Sequence, residues 1–282
     1  MEVNIKKDEE EMDEKLQALL MPVDTNIRFD SVVLSDENRQ KYAQFINEQK
    51  YADKFLKYGL RPINRLLLYG DSGCGKTYSS KALSNELGYK MLYVDIGASL
   101  QQGNVSENIS LVFKYANKHK RCMIFFDECD SIAWARDSKN AESGDIRRAL
   151  NGLFQQLDQM DPSNIFVSCT NLLPRLDAAF ERRFDMKMEF RRPECDLREL
   201  MQKFLFDDFN LVDDVDNEDA NIINRRTQIS YYGVQIIVER NMKKAIMANT
   251  FDVKTSDIYK DIAIQQGIKI RLNNEYIESK GA

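Results

Sequence analysis

"GDSGCGKT", residues 70–77, decides how the rest of the chain is read. The octet fits G-x-x-x-x-G-K-[ST]. It also has the context that this pattern needs: the apolar run "RLLLYG" (65–70) leads into it and a helical stretch follows. Gly70, Gly73 and Gly75 let backbone N–H groups close around an anion, and the helix N-terminus behind them adds the positive end of its dipole. Lys76 places a cation on the outer phosphates of a bound chain of phosphates, and the Thr77 hydroxyl is suited to ligate Mg2+. The candidate phosphate-binding set is therefore Gly70, Asp71, Ser72, Gly73, Cys74, Gly75, Lys76, Thr77 and Tyr78.

Working outward, "MIFFDE" (123–128) is a buried-strand pattern that ends in adjacent acids. Behind a phosphate loop, Asp127 reads as a holder of Mg2+, directly or through water, and Glu128 as the general base for an attacking water. "VSCTN" (167–171) is another strand that ends in a polar residue. Asn171 there is placed to orient the same water, although an Asn at a strand end also reads as a plain turn residue.

These segments belong to an alternating series. "RLLLYG" (65–70), "KMLYVDI" (90–96), "CMIFFDE" (122–128) and "NIFVSCTN" (164–171) are nearly continuous apolar runs, as in strands buried on both faces of a parallel sheet. "MKMEF" (186–190) alternates as a last strand. Between them lie helical stripes: Ile109, Val112, Phe113 and Ala116, then Ile146, Ala149, Leu150, Leu153, Phe154 and Leu157. The pattern predicts an α/β fold, a three-layer αβα sandwich on a parallel sheet, over residues 26–192. After Pro193 strand signals stop. Leu197, Leu200, Met201, Phe204 and Leu205 mark one helix, Ile236, Ile237, Met242, Ala245 and Ile246 a second, and Ile258 with Ile262 a third. Residues 193–266 therefore read as a small helical domain, with a tail over 267–282 and an acidic leader over 1–25. In the leader, Met12, Leu16, Leu19 and Leu20 allow a short amphipathic helix ending before Pro22; an unstructured leader is the alternative. The acidic stretch "DDFNLVDDVDNED" (207–219) reads as solvated surface.

Composition narrows the function classes. The 282 residues carry a net charge of −5, with 43% hydrophobic and 30% charged residues, as in a soluble globular protein. The acidic balance gives no support for non-specific nucleic-acid binding, which needs a basic surface. The start "MEVNIKKDEEEMDEK" lacks a signal-peptide pattern, and the apolar runs are too short to span a bilayer. Cys74, Cys122, Cys129, Cys169 and Cys195 form no CxxC pair, and His119 alone cannot complete a zinc set, so reduced thiols in the cytoplasm are expected.

Together these residues resemble the AAA+ ATPases, in particular the subfamily with katanin-, spastin- and proteasome-type members, from about Phe29 to Gln266. "RFDSVV" resembles the segment before that family's first helix. "FFDECDSIAWAR" (125–136) resembles its Walker B block, and "RRALNGLFQQLDQM" (147–160) the helix before its sensor-1 strand. "CTN" followed by "LDAAFERRFD" (176–185) resembles its sensor-1 and arginine-finger region. The resemblance implies ATP and Mg2+ as ligands, ATP hydrolysis, and assembly into a homo-oligomer, a hexamer, that remodels a protein partner or acts with a protein adaptor. It gives Asn171 the sensor role and makes Arg182 and Arg183 fingers that reach a neighbouring subunit's nucleotide; local pairing with Glu181 or Asp185 is the alternative. It matches Gly233 to the lid glycine near the base. "QQG" (101–103) takes the place of the family's aromatic pore loop, with Gln101 at the aromatic position and no aromatic from Ile96 to Val112, which argues against threading of a polypeptide. A loader acting on nucleic-acid complexes and a slow nucleotide switch or scaffold are the competing readings; no membrane partner is implied.

Overall fold

The structure, a computed structural model, describes residues 14–96, 105–131, 133, 144–272 and 275–277. Met12, the Gln101–Gly103 loop and residues 134–136 of the Walker B block lie outside the described residues, as does the side chain of Ile146. The chain divides into two compact units, residues 1–70 with 76–190, and residues 71–75 with 191–282.

The first unit is built on five parallel strands: β1 (Arg65–Gly70), β2 (Lys90–Val94), β3 (Cys122–Phe126), β4 (Ile165–Thr170) and β5 (Met186–Phe190). Their order is β2-β3-β4-β1-β5. Every residue of β3 and β4 is buried, as expected for central strands covered on both faces. Helices α1 (Asp36–Lys50) and α2 (Ala52–Lys57) precede β1, and α3 (Lys76–Leu87), α4 (Val105–His119), α5 (Gly144–Gln159) and the short α6 (Ala178–Glu181) connect the strands. The predicted stripes are the ones buried. Ile109, Val112, Phe113 and Ala116 of α4 and Ala149, Leu150, Leu153, Phe154 and Leu157 of α5 join Leu92, Ile124, Phe126 and Phe166 in one cluster. On the opposite side α3 packs on β2 and β4 and α1 on β5, and a buried Tyr42–Ser79 hydrogen bond of 2.9 Å ties those helices together.

β2 is an edge strand, and the chain covers it with its own leader. Residues 14–19 are helical, with Leu16 and Leu19 buried. The Met21 N–H then donates to Tyr93 O at 2.8 Å and the Asp95 N–H to Leu19 O at 2.9 Å. Leu20 makes an antiparallel bridge to Val94. The apolar spacing is thus that of a docked segment.

In the second unit, α7 (Leu197–Phe204), α8 (Asn217–Arg226), α9 (Tyr231–Met247) and α10 (Thr255–Gln266) form a helical group in which α9 packs on α7 and α10. Ile237, Met242, Ala245, Ile258 and Ile262 are buried as the stripes require, whereas Ile236 and Ile246 are exposed. Two short strand pairs were not expected there: β6 (Asn210–Val212) parallel to β7 (Asp252–Lys254), and a hairpin of β8 (Ile270–Leu272) with β9 (Glu275–Ile277). Three-residue strands are too short to show a period. β6 lies in the acidic stretch, so that stretch is not all solvated surface: Phe209 and Val215 within it are buried.

Asp196, Ser230 and Asp216 cap their helices in the usual way, the side chain accepting an N–H of the first turn. Helix α10 follows Lys254, which supplies no such acceptor. Asp214 does it from a distance: its carboxylate accepts the Ser256 N–H at 2.8 Å and the hydroxyls of Ser256 and Thr255 at 2.7 and 3.1 Å. Partial burial opposes the charge, but these donors outweigh it and hold the Asp214 carboxyl below its ordinary range. We expect Asp214→Ala to lower stability by about 1 kcal/mol in denaturant unfolding, the worth of a helix cap. Because the folded pKa is depressed, the full difference should be present above the unfolded value of about 4 and close as pH falls through the folded one. A difference that persists unchanged at low pH would assign the loss to something other than the ionised cap.

Candidate active site

In a parallel sheet all carboxyl ends lie on one edge, and that edge is where ligands bind in such folds. Register places the site residues there. Tyr69 of β1 pairs with Thr170 of β4, so Asn171 follows the end of β4 beside Gly70, the last residue of β1. Phe126 of β3 pairs with Ser168, one strand further along, which brings Asp127 and Glu128 to the same edge.

Gly70 ends β1 with φ 128°, and a Cβ there would meet the carbonyl oxygen of Phe190 at 2.1 Å. The close passage of β5 therefore admits only glycine. Lys76 opens α3 and is buried. Its ammonium donates to Gly70 O at 2.7 Å and to Asn171 Oδ1 at 2.7 Å. The Thr77 hydroxyl donates to Asp127 Oδ2 at 2.7 Å. Tyr93 donates to the same Oδ2 at 2.9 Å. Burial, then the adjacent Asp127 carboxylate, push the Tyr93 hydroxyl well above its ordinary range, so it remains a donor at neutral pH. Glu128 is exposed and has φ 51°, a left-handed conformation uncommon for a side chain of its kind. Its N–H donates to Asp127 Oδ1 at 3.1 Å, so the carboxylate of Asp127 is held at both oxygens. Asp130 accepts the Thr170 hydroxyl at 3.0 Å and thereby links the ends of β3 and β4. The thiols near this edge are kept neutral by burial: Cys129 is pushed up to about 12, and Cys169 well above its usual range. Tyr78 is exposed, its hydroxyl 3.3 Å from that of Ser31.

The second unit holds the loop residues 71–75. The Tyr232 N–H donates to Gly73 O at 3.1 Å. Gly73 has φ 73°, and a Cβ on it would lie 2.6 Å from Ser230 Oγ. Ser230 also caps α9 by accepting the Gly233 N–H, so Gly233 belongs to the turn that packs on Gly73. Asp71 is paired with Arg192 at 2.9 Å, and the buried Cys74 thiol lies 3.8 Å from Ser72 O. Gly75 has φ 95°.

The arginines after α6 differ from each other. The Arg183 guanidinium sits over the Phe154 ring at 3.9 Å from its centroid, donates to Ala179 O at 2.8 Å and faces Asp158 at 3.6 Å. The Arg182 side chain is exposed and makes no hydrogen bond or ion pair among the described residues. Neither flanking acid pairs with them. Glu181 is bonded to Lys187 at 2.6 Å, and Asp185 accepts the backbone N–H groups of Asn64 and Arg65 at 3.0 Å.

Residues 66–192 match the sequence model of the ATPase family associated with various cellular activities (AAA). Residues 66–192 are an AAA ATPase domain. Among curated relatives, an uncharacterised AAA family ATPase of Sinorhizobium fredii is 35% identical over 166 residues, 58% of this chain and 50% of that protein. A probable 26S proteasome regulatory subunit 6B of Caenorhabditis elegans is 29% identical over 259 residues, 89% of this chain and 62% of its own. Proteasome-activating nucleotidase 2 of Haloferax volcanii is 29% identical over 217 residues, 74% of this chain and 52% of its own. The chain thus spans about half to three fifths of the length of these relatives.

Of the residues that the sequence singles out as candidates, the fold joins Lys76 to Asn171 and Thr77 to Asp127 by hydrogen bonds; Tyr93, which the sequence did not single out, bonds to Asp127. The available signal was the place of Tyr93 in "KMLYVDI", between the buried Leu92 and Val94 and therefore on the other face of the strand. Different stability effects are expected from the two arginines. Arg183→Ala should lower stability by about 1–2 kcal/mol, through the lost ring contact and backbone hydrogen bond. Arg182→Ala should leave the unfolding midpoint where it is. Equal losses in denaturant unfolding would contradict the difference seen between them.

Proposed function

We propose that this chain binds ATP with Mg2+ and hydrolyses it as one subunit of a homo-oligomer, a hexamer, that remodels a protein partner. The observation that carries the reading is the hydrogen-bonded convergence of Lys76, Thr77, Asp127 and Asn171 at one sheet edge. The Thr77 hydroxyl and the Asp127 carboxylate are hard oxygen donors 2.7 Å apart, the kind of donor set Mg2+ takes. These residues fit the ion; when bound it neutralises charge on the phosphates.

The chain's own groups divide the work. The loop from Gly70 to Gly75 cradles phosphates with its N–H groups, and Lys76 sets a cation against the outer ones. Asn171, which already orients Lys76, orients the water that attacks. Glu128 takes the proton from that water. Gly233 lies in the turn assigned to the base. Of the arginine pair, Arg183 is engaged within its own chain, so Arg182 is the better candidate to stabilise charge at a neighbouring subunit's nucleotide. The names of the proteasomal relatives support a protein as the partner, and five free cysteines suit a reducing compartment such as the cytoplasm. No helix among the described residues is long and apolar enough to cross a membrane.

Glu128→Gln should bind ATP as the wild type does and hydrolyse it about 10²–10⁴ times more slowly, the usual loss for a general base. Unaltered turnover would remove Glu128 from the chemistry. Material co-purifying with this variant in the presence of ATP would identify the partner. Arg182→Ala should bind ATP but barely turn it over. Mixing it with Lys76→Ala should restore activity, since the Lys76→Ala subunit lends Arg182 to an intact phosphate loop. A folded Arg182→Ala chain with wild-type turnover would end the assignment.

A further inference from the structure

We propose that Tyr93 is a positioning residue for Asp127, fixing the orientation of its carboxylate and with it the grip on the divalent cation. The inference rests on the nucleotide-site reading above and adds to it a residue outside the phosphate loop and the acid pair. An aspartate carboxylate turns easily about its last torsion, where the wells are broad and two-fold. Asp127 Oδ2 accepts from Thr77 at 2.7 Å and from Tyr93 at 2.9 Å. Thr77 lies on the helix that follows the loop and takes part in any event there. Tyr93 belongs to the sheet and is independent of the loop.

Tyr93 is held on several sides. Its strand pairs with β3 in a register that sets Tyr93 opposite Phe125, two residues before Asp127. The two rings meet edge to face, with centroids 4.9 Å apart and planes at 85°. On the outer edge the leader pins the backbone on either side: the Met21 N–H bonds to Tyr93 O and the Asp95 N–H to Leu19 O. A ring fixed by Phe125, on a strand fixed by the leader, leaves the hydroxyl little freedom. Such second-layer hydrogen bonds to a ligating carboxylate commonly alter metal affinity while leaving the fold intact.

Tyr93→Phe keeps the ring and removes only the hydroxyl. The test uses the full chain, ADP and Mn2+, with free Mn2+ read by electron paramagnetic resonance and ADP binding in EDTA read by calorimetry. The variant should bind ADP in EDTA as the wild type does and unfold at the same temperature, but require about 10–100-fold more Mn2+ to saturate its ADP complex. A lower unfolding temperature with a superimposable Mn2+ titration would make the hydrogen bond merely structural and overturn the proposal. A wild-type chain that binds no ADP with or without Mn2+ would remove the nucleotide-site reading itself, and that failure is seen before any substitution is made.

Discussion

The buried ammonium of Lys76 is the constraint on which the rest of the site depends. A lysine only 7% exposed must be paired with acceptors, because an unmatched charge out of water costs several kcal/mol. Gly70 O supplies one acceptor from the strand before the loop, and Asn171 Oδ1 another from the end of the adjacent strand. The first acceptor requires the chain to turn back on itself between residues 70 and 76, which the left-handed glycines allow. The second requires β4 to lie beside β1 and to end one residue before Asn171, which the parallel register secures. The buried charge therefore depends on a turn back of the chain, on β4 lying beside β1 and on an acceptor 95 residues away.

The same edge shows how a parallel sheet turns sequence separation into proximity. Asp127 is 50 residues from Thr77 and Tyr93 is 34 from Asp127, yet their polar atoms converge within hydrogen-bond distance. Nothing local to any of these residues arranges this; it follows from β2, β3, β4 and β1 being neighbours in that order. The apolar layers hold the order. β3 and β4 are buried along their whole length, so a one-residue slip of either would move a full set of side chains to the wrong face. The core thus acts on the site through register.

Legibility in the sequence followed the length of the signal. The parallel strands were readable as nearly unbroken apolar runs, and the helical stripes of α4 and α5 because each runs long enough for burial to impose a period. The loop and the acids after β3 were readable because a charged or hydroxylated residue at the end of an apolar run has few structural reasons to be there. Tyr93 was not, because an aromatic inside a strand ordinarily means packing, and only the three-dimensional register shows its hydroxyl meeting Asp127. The pairs β6–β7 and β8–β9 are too short for any pattern, and β6 hides in an acidic stretch whose Asp214 serves as a remote helix cap. The leader left a choice between helix and disorder, since its apolar residues say only that something covers them, and that something is the exposed edge of β2. The arginine pair was legible as a pair but not as two different residues; the Phe154 ring that captures Arg183 lies on a helix distant in sequence.

That difference between the arginines bears on why the proposed reaction needs a second subunit. Among the groups at the sheet edge, Lys76 is committed to Gly70 and Asn171, and Thr77 and Tyr93 to Asp127. These contacts orient the polar groups of the sheet edge with respect to one another. Charge that develops during phosphoryl transfer calls for a further cation. Within the chain, Arg183 is spent on Phe154, Ala179 and Asp158, and Arg192 on Asp71. Arg182 is exposed and has no hydrogen bond or ion pair among the described residues, so it is a candidate for that role. An exposed arginine held at the end of a helix whose start is capped by Asp177 keeps a defined place on the surface while costing the fold nothing to release. In the proposed reading this separates binding from turnover. Each chain satisfies its own binding groups, and the last charge comes from a neighbour, so that turnover is tied to assembly.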